Sequence, residues 1–127
     1  MTTRGFRTRF AMHELSIVLG IIDGVTEEAE RCGAAQVSAV HLRLGVLSGV
    51  AKEALLFAYD LACEGTLLQG SQLIVEDSPV VVHCFTCDAD RTLDIPQRFC
   101  CPVCGSISPN ILQGKEIEVM AMEVTSP

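Results

Sequence analysis

Two different periods divide this chain. Between Leu15 and Arg31 apolar residues return every three to four positions, at Leu15, Val18, Leu19, Ile22, Val25, Ala29 and on to Cys32, while Asp23, Glu27, Glu28 and Glu30 take the other side. That spacing predicts an amphipathic helix. Gly33 follows in the usual position past a last turn, and the internal Gly20 and Gly24 each cost about 1 kcal/mol relative to alanine, so the helix needs tertiary support. From Val37 to Leu44 the period drops to two, with Val40, Leu42 and Leu44 on one face and His41 and Arg43 on the other. A strand with one wet side is expected there.

After a loop marked by Gly45 and Gly49, Lys52 to Cys63 returns to helical spacing through Leu55, Leu56, Tyr59 and Ala62, and Gly65 closes it. Leu73–Glu76 and Val80–His83 are strand-like and are separated at Pro79; Ile117, Val119, Met120 and Met122–Val124 make a further extended segment. Four cysteines lie between these strands. The residues after them are too few and too apolar to stand alone, so the cysteine stretch is expected as a ribbon inserted between two strands of one sheet.

Cys84-x-x-Cys87, thirteen residues, then Cys101-x-x-Cys104 is the chain's most specific signal. Two such turns on a loop of that length let four thiolates converge on one tetrahedral centre, a closed structural zinc site with no position left for substrate. A redox dithiol needs one such pair, not two. Thiolates alone do not choose between zinc and iron, so a rubredoxin-like iron site stays open, although only Phe85 and Phe99 supply aromatics nearby. Cys100 could in principle replace its neighbour Cys101, but the spacing to Cys104 favours Cys101.

Composition narrows the function. With 127 residues, 49% of them hydrophobic, the chain can bury one modest core and carry a metal module. Its net charge is −7, and residues 1–11 hold three arginines and no acid, which leaves −10 for the rest. Such a body does not suit nucleic acid, and no apolar stretch has the length of a membrane span. The arginines ahead of Leu15–Ile22 resemble a secretory signal, but His13, Glu14 and the later acids interrupt the pattern. Seven cysteines, an odd number, suit a reducing cytoplasm. There Cys32 and Cys63 are expected as small core hydrophobes.

A second, weaker motif is Met12-His13-Glu14. Were Met12 the first residue, its amine, the His13 imidazole and the amides of His13 and Glu14 could ring one metal in a plane of nitrogens. Ni(II) or Cu(II) favours that field; zinc gains nothing from it.

Met12-His13-Glu14-Leu15-Ser16, the run Glu53-Ala54-Leu55-Leu56-Phe57-Ala58-Tyr59 followed by Gly65-Thr66, and the cysteine quartet together resemble the HypA/HybF family of hydrogenase nickel chaperones, from Met12 to about Val124. The resemblance implies an α+β fold, a small mixed β-sheet with two helices plus an inserted zinc-ribbon module. Residues 12–80 with 115–124 would form the nickel-binding domain, 81–114 the ribbon, and 1–11 an extension ahead of the expected start at Met12. It implies structural Zn(II) on Cys84, Cys87, Cys101 and Cys104, and Ni(II) as cargo at Met12, His13 and Glu14, with His13 the essential ligand. The implied partners are a HypB-like GTPase and the large subunit of a [NiFe] hydrogenase.

No Ser/His/Asp set, phosphate-cradling loop or paired carboxylate site is visible, so no catalysis is expected. His83 beside Cys84 is read as a neighbour of the metal site or a surface group, and His41 as solvated. Two further functions stay open: a non-catalytic zinc-ribbon interaction module without nickel, and an iron electron carrier.

Overall fold

The computed structural model describes residues 2–93 and 98–126, with side chains from Glu14 onward apart from the 94–97 gap. In chain order the elements are α1 (Thr2–Arg31), β1 (Gln36–Gly45), α2 (Lys52–Ala62), β2 (Gln72–Ser78), β3 (Val80–Cys84), β4 (Ala89–Leu93), β5 (Ile111–Gln113) and β6 (Ile117–Thr125). They form two three-stranded sheets, ordered β2-β1-β6 and β4-β3-β5. In sequence, the second sheet is inserted between β2 and β6, the two partners of β1. Val37 N–H bonds Leu67 O and Val46 N–H bonds Ser78 O, so β1 and β2 run the same way; Ala35 N–H to Thr125 O and Gly45 N–H to Glu116 O make β6 antiparallel. The fold is α+β, with a mixed sheet and two helices.

The chain divides into two compact units, one holding the residues up to His41, Val50–Ile74 and the residues from Val119 on, the other Leu42–Gly49 and Val75–Glu118. In the first, α1 packs on α2. Val18, Ile21, Ile22, Val25 and Ala29 of α1 are buried, as are Leu55 and Tyr59 of α2 and Val37 and Ala39 of β1. The helix begins well before Leu15, because residues 2–11 contain no proline and arginine continues a helix readily. Its end follows the expectation. Gly33 N–H bonds Glu30 O at 3.1 Å and Ala34 N–H bonds Ala29 O at 3.0 Å, the paired bonds of a Schellman motif.

Three details depart from the periodic reading. Leu15 and Leu19 are 42% and 48% exposed, because the buried arc is centred on Val18, Ile22, Val25 and Ala29 and Leu19 lies about 100° round from Val18. Cys32 is exposed, since the helix has ended at Arg31, whereas Cys63 is buried as expected. Burial in β1 changes phase, falling on Val37 and Ala39 and then on Val40, Leu42 and Leu44. Alternation holds on either side of the step at Ala39 and Val40.

α2 starts without a side-chain cap of its own at Ala51. The Glu14 carboxylate supplies the acceptor instead, taking the Ala51 N–H at 3.1 Å, and an anion at a helix N-terminus also complements the helix dipole. The helix is then held by Tyr59, whose buried hydroxyl lies 2.7 Å from Ser71 Oγ; burial pushes the phenol's pKa well above its usual value.

The second unit has a small apolar cluster of Val80, Val82 and Leu93, against which Leu47, Phe99 and Ile111 pack. β3 pairs antiparallel with β4 from Val80↔Leu93 to Cys84↔Ala89, and with β5 through Val82↔Ile111. Gly45 crosses Gly114 so closely that a Cβ on Gly45 would collide with the Gly114 carbonyl. Leu47 N–H bonds that carbonyl at 2.7 Å.

Candidate metal centre

Each cysteine pair sits on a hairpin tip. In the first, Cys84 pairs with Ala89 across residues 85–88; in the second, Cys101 N–H bonds Ser106 O at 2.8 Å, Gly105 N–H bonds Cys101 O at 2.9 Å, and Cys100 bridges Ile107. The two tips have the same plan. Each needs a left-handed residue after its second cysteine, which is Gly105 at φ 78° in one and Asp88 at φ 53° in the other.

The tips bring Sγ of Cys84, Cys87, Cys101 and Cys104 within 4.8 Å of one another, the one metal-binding grouping of this kind among the described residues. Cys84 Sγ lies 3.5 Å from Cys104 Sγ, and Cys87 Sγ 3.9 Å from Cys101 Sγ. A tetrahedral tetrathiolate with metal–sulfur bonds of about 2.3 Å has sulfurs about 3.8 Å apart, so the donor set fits a zinc ion. Cys100 is outside the cluster, with Sγ 3.2 Å from Arg98 O. His83 is outside it too: Nδ1 lies 2.9 Å from the Asp90 carboxylate, Nε2 3.6 Å from Asp88, and the ring stands edge-on to Phe85 at 4.7 Å.

Donors around the sulfurs set their acidity. Cys101 is lowered to about 6, by the Cys104 N–H first and also by that of Val103. Cys104 is lowered as well, by the Ser106 hydroxyl, 3.3 Å away, and then the Ser106 N–H. At Cys87 the largest influence is the Arg91 guanidinium, which favours the thiolate; hydrogen bonds with other thiols, Cys104 foremost, and burial outweigh it and push this thiol up to about 11. Arg91 and Ser106 went unnoticed in the sequence. The one signal was positional, since Ser106 stands two residues after Cys104 and Arg91 four after Cys87.

A family model described as "Hydrogenase/urease nickel incorporation, metallochaperone, hypA" matches residues 12–124. The chain belongs to the HypA family. It is similar to the hydrogenase maturation factor HypA of Roseiflexus sp. (strain RS-1), 46% identical over 112 residues that make up 88% of this chain and 91% of that one. It is also similar to the maturation factor HybF of Klebsiella pneumoniae, 38% identical over 113 residues covering 88% and 98%. A solution structure of a HypA protein superimposes with a TM-score of 0.70 at 25% identity, covering 91% of this chain and 98% of that one. That of the Ni metallochaperone HypA from Helicobacter pylori shares the fold with a TM-score of 0.65 at 23% identity, over 90% and 98%.

Of the second HypA motif, the structure places Met12, His13 and Glu14 within the helical span of α1. The side chains of Met12 and His13 lie outside the described residues. Glu14 is buried and its carboxylate is engaged by Ala51, a role that its place in the tripeptide did not suggest. No helix among the described residues is long and apolar enough to cross a membrane.

Proposed function

We propose that this HypA-family chain carries Ni(II) in the cytoplasm to the large subunit of a [NiFe] hydrogenase, in cooperation with a HypB-like GTPase, and catalyses no reaction itself. The observation that carries this reading is the closed sulfur quartet in a chain matched from Met12 onward to a nickel-incorporation family. Four sulfurs that fill one tetrahedron suit a resident structural ion, zinc, and offer the cargo no open position. The cargo then needs other donors. Met12, His13 and Glu14 are the proposed nickel site, with the His13 imidazole as the leading ligand and backbone nitrogen completing the field; the Glu14 carboxylate, already bound to Ala51, pins the tripeptide to α2. In this reading residues 12–80 with 115–124 handle nickel and 81–114 form the zinc ribbon.

Nickel titration tests it, on the full chain, on a chain starting at Met12 and on the His13→Ala form of each. The expected result is nickel binding that His13→Ala abolishes while zinc stays at one per chain, and tighter binding with more proton release in the chain with the free Met12 amine. A His13→Ala protein that still binds nickel as before, or that loses both metals together, overturns the two-site scheme.

A further inference from the structure

The sulfur cluster leaves one of its four cysteines in the open. Cys84 and Cys101 are buried and Cys87 is half-buried, whereas Cys104 is exposed. An exposed thiolate is the one that a chelator or an electrophile reaches first, unless a neighbour holds it. Two hydroxyls stand there. Ser106 Oγ lies 3.3 Å from Cys104 Sγ and 3.0 Å from Thr86 Oγ1. Thr86 belongs to the first tip and Ser106 to the second, so Cys104, Ser106 and Thr86 make a chain of contacts that crosses from one hairpin to the other.

The order of donors along this chain follows from what each group can give. A thiolate bound to a metal has no proton and only accepts, while a hydroxyl has one proton to donate and lone pairs to accept with. The Ser106 proton therefore goes to Cys104, and Thr86 donates its own to the Ser106 oxygen. Each bond polarises the next. The opposite order, with Ser106 donating to Thr86, would set a lone pair against the thiolate. The backbone fixes Ser106 in place: its carbonyl accepts the Cys101 N–H at 2.8 Å and the hydroxyl of the buried Ser108 at 3.3 Å. The first tip is built differently. Two residues after its second cysteine stands Ala89, which has no hydroxyl to offer Cys87.

We propose that Ser106 and Thr86 are positioning residues of the metal centre, a two-hydroxyl clasp that holds the exposed Cys104 thiolate on the metal and fastens the second hairpin tip to the first. The proposal rests on the zinc reading of the quartet. Ser106 acts on the sulfur directly, and Thr86 acts through Ser106. The clasp makes the two cysteine pairs unequal. Cys104 is exposed but held, and Cys87, its counterpart, relies on partial burial.

The experiment uses the full zinc-loaded chain, with Ser106→Ala, Thr86→Val and the double variant beside it. Zinc content is measured first, then zinc transfer to 4-(2-pyridylazo)resorcinol, then iodoacetamide alkylation of each cysteine by peptide mapping. A parent chain that holds no zinc overturns the zinc reading itself. With zinc present, Ser106→Ala is expected to release it about threefold faster or more, with alkylation rising at Cys104 ahead of Cys84, Cys87 and Cys101. Thr86→Val keeps the shape of the side chain and removes its hydroxyl. It is expected to give the same pattern at a smaller size, and to add nothing in the Ser106→Ala background. Unchanged release in Ser106→Ala, or a rise spread evenly over the four cysteines, overturns the role of Ser106. Effects of the two substitutions that simply add overturn the relay through Ser106. If Ser106→Ala cannot hold zinc at all, Thr86→Val decides: faster alkylation at Cys104 upholds the clasp, and an unchanged or even pattern overturns it.

Discussion

The helical unit buries many apolar side chains and the cysteine ribbon few. In the helical unit Val18, Ile22, Leu55, Tyr59 and Leu68 are essentially removed from water, and burying each such side chain is worth about 1.5–3 kcal/mol. The ribbon's apolar cluster has only Val80, Val82 and Leu93 at its centre, and the tips that carry the cysteines expose Phe85 and Val103. In the zinc reading of the quartet, sulfur and one ion would do there what aliphatic packing does in the other unit. Stability in one is spread over many contacts, and in the other it would be concentrated on that ion.

The sharpest way to break that comparison is to remove the metal. Chelation, or Cys104→Ala, is expected to abolish amide protection at residues 84–106, because structural zinc supplies on the order of 10 kcal/mol to such modules. Protection of α1 and α2 should persist. Hydrogen exchange resolved by residue checks this, and full protection of the tips after metal removal would defeat it. The converse is smaller: Leu55→Ala is expected to destabilise the helical unit by about 2–5 kcal/mol, through lost burial and a residual cavity, while zinc content stays at one per chain. Denaturant melts beside metal analysis measure both, and a parallel loss of zinc would dissolve the distinction.

The smallest effect tests the ribbon unit apart from its metal. Glu116 is held below its usual 4.5 by its own N–H first, then by the Ser78 hydroxyl at 2.8 Å and the Gly114 N–H at 2.7 Å. A lowered carboxylate contributes stability that is complete above the unfolded value and is lost as pH falls through the folded one. Glu116→Gln is thus expected to be slightly less stable than the parent chain at neutral pH, with the gap closing below about pH 4.5. Taking the difference between the two chains cancels the acid loss of metal common to both. A gap that is constant from neutral to acid pH would rule out the carboxylate as its source.

How much of this was readable beforehand depended on what kind of information each feature needs. The quartet was legible because spacing alone decides whether two Cys-x-x-Cys turns can meet, and Cys100 was correctly left out on the same ground. The helices were legible from a period of 3.6, and the inserted ribbon from the short apolar segment that follows it. Edges were not. A stripe of apolar residues does not say which of its margins will be covered, so Leu15 and Leu19 were read as core and are exposed, and β6, apolar in sequence, is mostly exposed. Glu14 was out of reach for another reason. Its partner Ala51 lies 37 residues away at the start of α2, and no local pattern encodes a contact made only after folding.

The crossing of Gly45 and Gly114 bears on how freely this chain can drift or be re-engineered. Gly114 adopts φ 122°, and any side chain at Gly45 would run into its carbonyl, which is itself fixed by the Leu47 N–H. Backbone against backbone leaves no rotamer to rearrange, so neither position has a tolerated neighbour in sequence space that is reached by a single change. Loop grafts and tag insertions belong elsewhere. The tips between the paired cysteines are no place for them either, since the two-residue spacing builds the sulfur quartet; at the exposed Phe85 and Val103 a library could exchange side chains only, with the two glycines left untouched.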